Sequence, residues 1–62
     1  MFAEQIANKI HTTNTNEIKM GLLAKEKGNS PAVRYYGATL IEDHTASDKK
    51  LSRVASRSNI KQ

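Results

Sequence analysis

Glu17 and His44 are two polar residues set among apolar residues, and they are the best candidates for chemistry in this 62-residue sequence. If the chain folds back between them, a helical rise of about 1.5 Å per residue places them within about 4 Å of the same height. Two copies of the chain would then bring together two carboxylates and two imidazoles. Zinc, iron or manganese accepts such a ligand set, so the sequence permits a metal site made from Glu17 and His44. No other cofactor is indicated.

The same pair has a simpler interpretation, which we favour. A buried hydrogen bond between Glu17 and His44 would satisfy two polar groups and fix the register of the helices. Di-iron carboxylate bundles carry Glu-x-x-His on a helix, whereas the residue three before His44 is Ile41. The second histidine, His11, precedes a run of polar residues, and we predict it to be a solvated helix residue.

No spacing in the sequence indicates an enzyme. It has no pair typical of a nucleophile with its base, and no glycine-rich phosphate loop. Cysteine is absent, which excludes disulfides, thiolate zinc sites and redox chemistry at sulfur. A basic C-terminal segment could bind nucleic acid or an anionic surface. Favourable interaction with the helix dipole is a sufficient reason for these cations, so we do not expect nucleic acid as a partner. The segment contains Lys49, Lys50, Arg53, Arg57 and Lys61.

Two long amphipathic helices are predicted to position these side chains. From Phe2, apolar or small residues recur in alternating steps of three and four, the spacing of one helix face. The first helix is predicted over about residues 2–27, because no proline or glycine breaks the polar stretch 11–16 and the apolar stripe keeps its phase across it. A similar stripe predicts a second helix over about residues 31–58.

The connection between the helices carries the strongest local signal. Gly28 is predicted to end the first helix in the left-handed conformation, Ser30 to be the N-cap of the second, and Pro31 to be its first residue. Such a short connection forces the helices to be antiparallel. The whole chain, residues 1–62, is therefore predicted to be a single helical hairpin.

A hairpin of this size is too small to bury a satisfactory core alone. The stripes on both helices are also wider than one facing helix can cover. We therefore predict an all-α protein that completes a four-helix bundle by forming a homodimer or a higher oligomer. The predicted interface residues are Phe2, Ile6, Ile10, Met20, Ala24, Val33, Tyr36, Leu40, Leu51 and Val54.

Composition agrees with an amphipathic helical protein. Hydrophobic residues make up 37% of the chain and charged residues 26%, with only three glycines and one proline. No apolar run approaches the roughly 20 residues of a membrane span. The N-terminus lacks the order of regions found in a signal peptide. We therefore expect no membrane span in this sequence.

Three segments resemble a bacterial family known as domain of unknown function 4142, whose members are described as predicted outer membrane proteins. They are EIKMGLLA at 17–24, SPAV at 30–33 and LIEDHT at 40–45. The resemblance covers roughly residues 17–60 and implies a ferritin-like four-helix architecture, export to the periplasm and no enzymatic activity. Family domains have a second helical hairpin, so the resemblance is to the N-terminal half. It implies either a truncated product or a hairpin that restores the bundle by dimerising.

Overall fold

The computed structural model describes residues 2–58, and within that range it contains two helices and no strand. Helix α1 is Phe2–Lys27 and helix α2 is Pro31–Arg57. The two lie side by side and antiparallel, which confirms the prediction of an all-α hairpin. The described residues of one chain supply two helices, so a four-helix bundle needs more than one chain.

The polar stretch in the middle of α1 does not interrupt the helix. The Thr15 hydroxyl donates to the carbonyl oxygen of His11 at 3.0 Å, one turn back along the same helix. Thr39 makes the same bond to Tyr35 at 3.1 Å in α2. Threonine side chains that bond back in this way remain compatible with a continuing helix. Helix α1 therefore runs for 26 residues without a break.

Local hydrogen bonds fix the start of α2. Ser30 has extended backbone angles, and its hydroxyl accepts a hydrogen bond from the Val33 backbone N–H at 3.2 Å. Pro31 follows as the first residue, where a missing N–H costs nothing. The Arg34 guanidinium donates to the carbonyl oxygen of Gly28 at 3.0 Å and so ties α2 to the end of α1.

The prediction that Gly28 adopts the left-handed conformation is wrong, since its φ lies outside the range from +20° to +160°. Its N–H instead continues the helical pattern by donating to the Ala24 carbonyl at 2.9 Å. Space is the reason for glycine here. A Cβ on Gly28 would lie 2.8 Å from Val33 Cγ1 and 2.5 Å from the Ala24 carbonyl oxygen. The turn therefore needs a residue without a side chain, but not one with positive φ.

Small residues spaced by seven form the α1 side of the contact between the helices. Ala7, Asn14 and Gly21 are the buried residues of α1. On α2 the buried residues are Gly37 and Ala55. A seven-residue spacing is typical of two helices that pack at a shallow angle. We call the buried residues of both helices together the contact line.

The helix backbones come close together where Gly21 meets Gly37. A Cβ on Gly37 would lie 2.5 Å from the Gly21 carbonyl oxygen and 2.5 Å from the Lys25 backbone nitrogen. A Cβ on Gly21 would lie 2.8 Å from the Gly37 carbonyl oxygen. Because main-chain atoms are on both sides, a side chain at either position would force the helices apart.

Candidate functional site

Most of the large apolar residues predicted as interface are exposed in the single hairpin. Phe2 is 69% exposed, Met20 58% and Tyr36 61%. Leu40 and Leu51 are half-buried, as is the small residue Ala24. The remaining predicted interface residues are also exposed: Ile6, Ile10, Val33 and Val54. The contact between the two helices therefore leaves most of the large apolar side chains uncovered.

Helical geometry places these residues on one broad face of the hairpin. His11 and Asp48 bond to each other across the two helices, so they mark one side of the contact line. Each residue turns about 100° around the helix, which puts Ile10 on the other side from His11, and Leu40 on the other side from Asp48. We call this second side the apolar face. Its members are Ile6, Ile10, Thr13, Glu17, Met20, Ala24, Val33, Tyr36, Leu40, Ser47 and Val54, with Phe2 at the outer edge and Leu51 beside the contact line.

The opposite broad face, called the polar face, holds a hydrogen-bonded cluster that joins the helices. His11 Nδ1 lies 2.8 Å from Asp48 Oδ1, and Asn14 Nδ2 donates to the same oxygen at 3.3 Å. Because a carboxylate only accepts, His11 Nδ1 is the donor. The hydrogen bond from His11 lowers the pKa of Asp48, and the bond from Asn14 adds to this effect.

His11 is an exposed helix residue, as predicted, but its bond to Asp48 was not predicted. Its side chain is 47% exposed, yet it bonds to a residue 37 positions away. Sequence reasoning also missed Asn14 and Asp48. A signal for Asn14 was present, since it lies midway between Ala7 and Gly21 in a seven-residue series. The signal for Asp48 needed the register of the two helices.

Glu17 and His44 lie at the same height, as predicted from the helical rise. Gly21 faces Leu40, with 3.1 Å between an added Cβ and Leu40 Cβ. One helical turn back from Gly21 is Glu17, and one turn on from Leu40 is His44. Glu17 belongs to the apolar face, and His44 lies between that face and the contact line. Both are half-buried.

The predicted hydrogen bond between Glu17 and His44 is not formed within the chain. His44 Nδ1 lies 2.9 Å from the carbonyl oxygen of Leu40 in its own helix. A carbonyl only accepts, so Nδ1 carries a proton and Nε2 of the neutral ring is an acceptor. The Glu17 carboxylate is also an acceptor and has no hydrogen bond within the described residues. The Nδ1–H is used by Leu40, and with the ring neutral Nε2 and the Glu17 carboxylate are both acceptors, which cannot bond to each other.

Within residues 2–58 of one chain, no three His, Asp or Glu side chains come together as a metal site, and there is no pocket. Neither helix is long and apolar enough to cross a membrane. In the basic segment Lys49, Lys50, Arg53 and Arg57 are exposed, and Lys61 lies outside the described residues.

Comparison with known proteins gives one match. No curated protein and no solved structure matches the chain. The family described as Domain of unknown function (DUF4142) matches over residues 1–62, a longer stretch than the three motif segments span. Because the match spans the full sequence given, the chain belongs to the DUF4142 family.

Proposed function

We propose that this protein is a non-enzymatic helical interaction module that associates with a second copy of itself. Two hairpins pack apolar face against apolar face and form a four-helix bundle of the ferritin-like kind. The observation that carries the proposal is which residues are buried within one chain and which are left exposed. The residues fully buried between the two helices of one chain are glycine, alanine and asparagine, whereas Phe2, Met20 and Tyr36 remain exposed together with most other large apolar residues.

The free energy of apolar burial favours this arrangement. Covering one large apolar side chain contributes about 1.5–3 kcal/mol relative to leaving it exposed. The largest residues that the single hairpin buries are Ala7, Asn14 and Ala55, so most of this contribution is still to be gained. A second copy covers the apolar face, and oligomerisation is one of the ways in which a domain of this size becomes stable.

A two-fold axis along the length of the hairpin gives the simplest bundle. Helix α1 of one copy then packs against α2 of the other, and every helix has two antiparallel neighbours, as in up-down bundles. Apolar residues near the open end, such as Ile6, meet Val54 of the second copy. Residues near the turn, such as Met20, meet Leu40 and Tyr36 of the second copy. Export to the periplasm belongs to the same proposal and is supported by the family resemblance alone.

Labelling of single cysteines tests the interface directly, because the natural chain contains no cysteine. Thr13→Cys places a thiol on the apolar face and Asn8→Cys places one on the polar face. Both positions are exposed in the single hairpin, so they form a matched pair. We expect a maleimide to label Asn8→Cys at the same rate at all protein concentrations, and to label Thr13→Cys more slowly as the concentration rises.

Sedimentation equilibrium of the wild-type chain provides the second measurement. We expect a mass of two chains at micromolar concentration. A compact, fully helical monomer, or equal labelling rates for the two cysteines at every concentration, contradicts self-association through the apolar face.

A further inference from the structure

Glu17, on the apolar face, and His44, between that face and the contact line, present two electron-pair donors at the same height of the hairpin. The Nδ1–H of His44 is held by the Leu40 carbonyl at 2.9 Å, which orients the ring and leaves Nε2 as its unprotonated nitrogen. Glu17 is half-buried at the same height of the neighbouring helix, without a hydrogen bond within the described residues. Two electron-pair donors do not bond to each other, but both can bind a cation that lies between them.

The bundle proposed above brings two of these pairs together. With the two-fold axis along the hairpin, Glu17 of one copy faces His44 of the other at equal height, and both pairs occupy one central layer. Polar groups enclosed there must be satisfied, because a buried acceptor without a partner costs free energy. The inference therefore rests on the proposed self-association.

We propose that the Glu17 carboxylate and His44 Nε2 from both copies form a site for one divalent transition-metal ion of the zinc type. Two imidazoles and two carboxylates complete a four-coordinate shell of the kind zinc accepts. Two carboxylates also balance the charge of a divalent ion. A backbone carbonyl that holds Nδ1–H is the usual outer partner of a metal-bound histidine, and Leu40 already provides it.

A proton is the competing occupant. If His44 is protonated at both nitrogens, Nε2–H donates to the Glu17 carboxylate of the second copy and no metal is needed. The two occupants differ in a measurable way. A pair bridged by a proton associates without any metal ion, whereas a metal-bridged pair loses its ion in acid, because bound ligands must be deprotonated.

Titration of the metal-free wild-type chain with Zn²⁺ or Co²⁺ tests the site. We expect one ion for every two chains, a rise in the melting temperature on adding zinc, and a visible Co²⁺ spectrum of tetrahedral nitrogen and oxygen ligation. Glu17→Gln and His44→Gln keep similar size and should each weaken binding by at least about 10–100-fold, since even an outer-shell change has that effect. His11→Gln is the matched control, because it removes the other histidine from the polar face, and it should bind as wild type.

Sedimentation of the metal-free chain separates the two proposals. A dimer that takes up no ion, or whose association strengthens only on protonation, overturns the metal site and leaves self-association standing. A monomer that takes up no ion overturns both. Binding that His11→Gln abolishes, or one ion per single chain, also overturns the site assigned here. The wild-type stoichiometry and Co²⁺ spectrum decide the matter even where a variant fails to fold.

Discussion

On the polar face, His11 and Asp48 find hydrogen-bond partners within one chain, with Asn14 at the border of that face. On the apolar face, Phe2, Met20 and Tyr36 remain exposed, and Glu17 has no hydrogen-bond partner within the described residues. Leu22, on the same side as His11, is also 44% exposed, so the two sides differ in degree, and most of the exposed large apolar residues lie on the apolar face. The difference indicates that the single hairpin can form its helices and turn locally, whereas its stability depends on the proposed dimer.

A charge on the apolar face should have the largest effect. Leu40→Asp places an unpaired carboxylate where the second copy is expected to pack, and burying such a charge is very costly. We expect association to weaken by at least about 100-fold, equivalent to about 2.7 kcal/mol, with loss of helicity. Sedimentation and far-UV circular dichroism measure both effects.

Ala38→Asp is the matched control for that substitution. Ala38 lies on the polar side of the same helix and is half-buried, as Leu40 is. We expect its association constant to stay near that of wild type. If both aspartates weaken association equally, the distinction between the faces does not hold.

A side chain where the helix backbones come close together should disturb both faces together. In Gly37→Ala the added Cβ meets main-chain atoms of Gly21 and Lys25 at 2.5 Å, and these cannot move independently of α1. We expect a loss of about 1–3 kcal/mol from overpacking. Helix propensity alone predicts a gain of about 1 kcal/mol for the same substitution, so the sign of the change in urea unfolding decides which effect is larger.

Removal of the polar-face carboxylate should lower stability without affecting association. Asp48→Ala removes the acceptor shared by His11 and Asn14, and we expect a cost of about 1 kcal/mol because the site is partly solvated. Glu42→Ala removes an exposed carboxylate from the same helix and should be nearly neutral. A change in the dimer mass of Asp48→Ala would show that the polar face also contributes to assembly.

The contribution of Asp48 should depend on pH in one direction. Its pKa is lowered in the folded chain, so its stabilising effect is present above the ordinary value near 3.9 and is lost as the pH falls through the lowered value. The stability difference between wild type and Asp48→Ala should therefore shrink below about pH 4. Urea unfolding at a series of pH values measures this difference.

The N-cap provides the smallest effect and lies outside both faces. Ser30→Ala removes the hydroxyl that accepts from the Val33 N–H, and we expect a loss of about 0.5–1 kcal/mol. Ser30→Asp keeps an acceptor at the same place and should retain most of the stability. Equal losses for alanine and aspartate would mean that the hydroxyl does not act as the cap.

Much of the fold could be predicted because helix formation and capping depend on residues that are close in sequence. The apolar spacing of three and four indicates the helices, and Ser30-Pro31 indicates where α2 begins. Gly28 was harder, since a left-handed backbone was expected there, whereas the reason for glycine is the closeness of Val33 Cγ1 and the Ala24 carbonyl oxygen. Glu17 and His44 were placed at one height from the helical rise alone, but the hydrogen bond from His44 to Leu40 was not anticipated.

The contact line could not be read from apolar periodicity. Ala7, Gly21 and Gly37 carry little apolar area, so a search for large apolar residues passes over them. Small residues nevertheless lie where the two backbones come close. With these residues between the helices, most of the large apolar side chains lie on one broad face.

The sequence by itself therefore determined two helices, their turn and their antiparallel order, because helix spacing, capping and a short connection act over a few residues. Only the tertiary structure decided which side of each helix faces the other. The side that packs depends on contacts between residues far apart in sequence. His11 and Asp48, for example, are 37 positions apart and meet only when the two helices are in register.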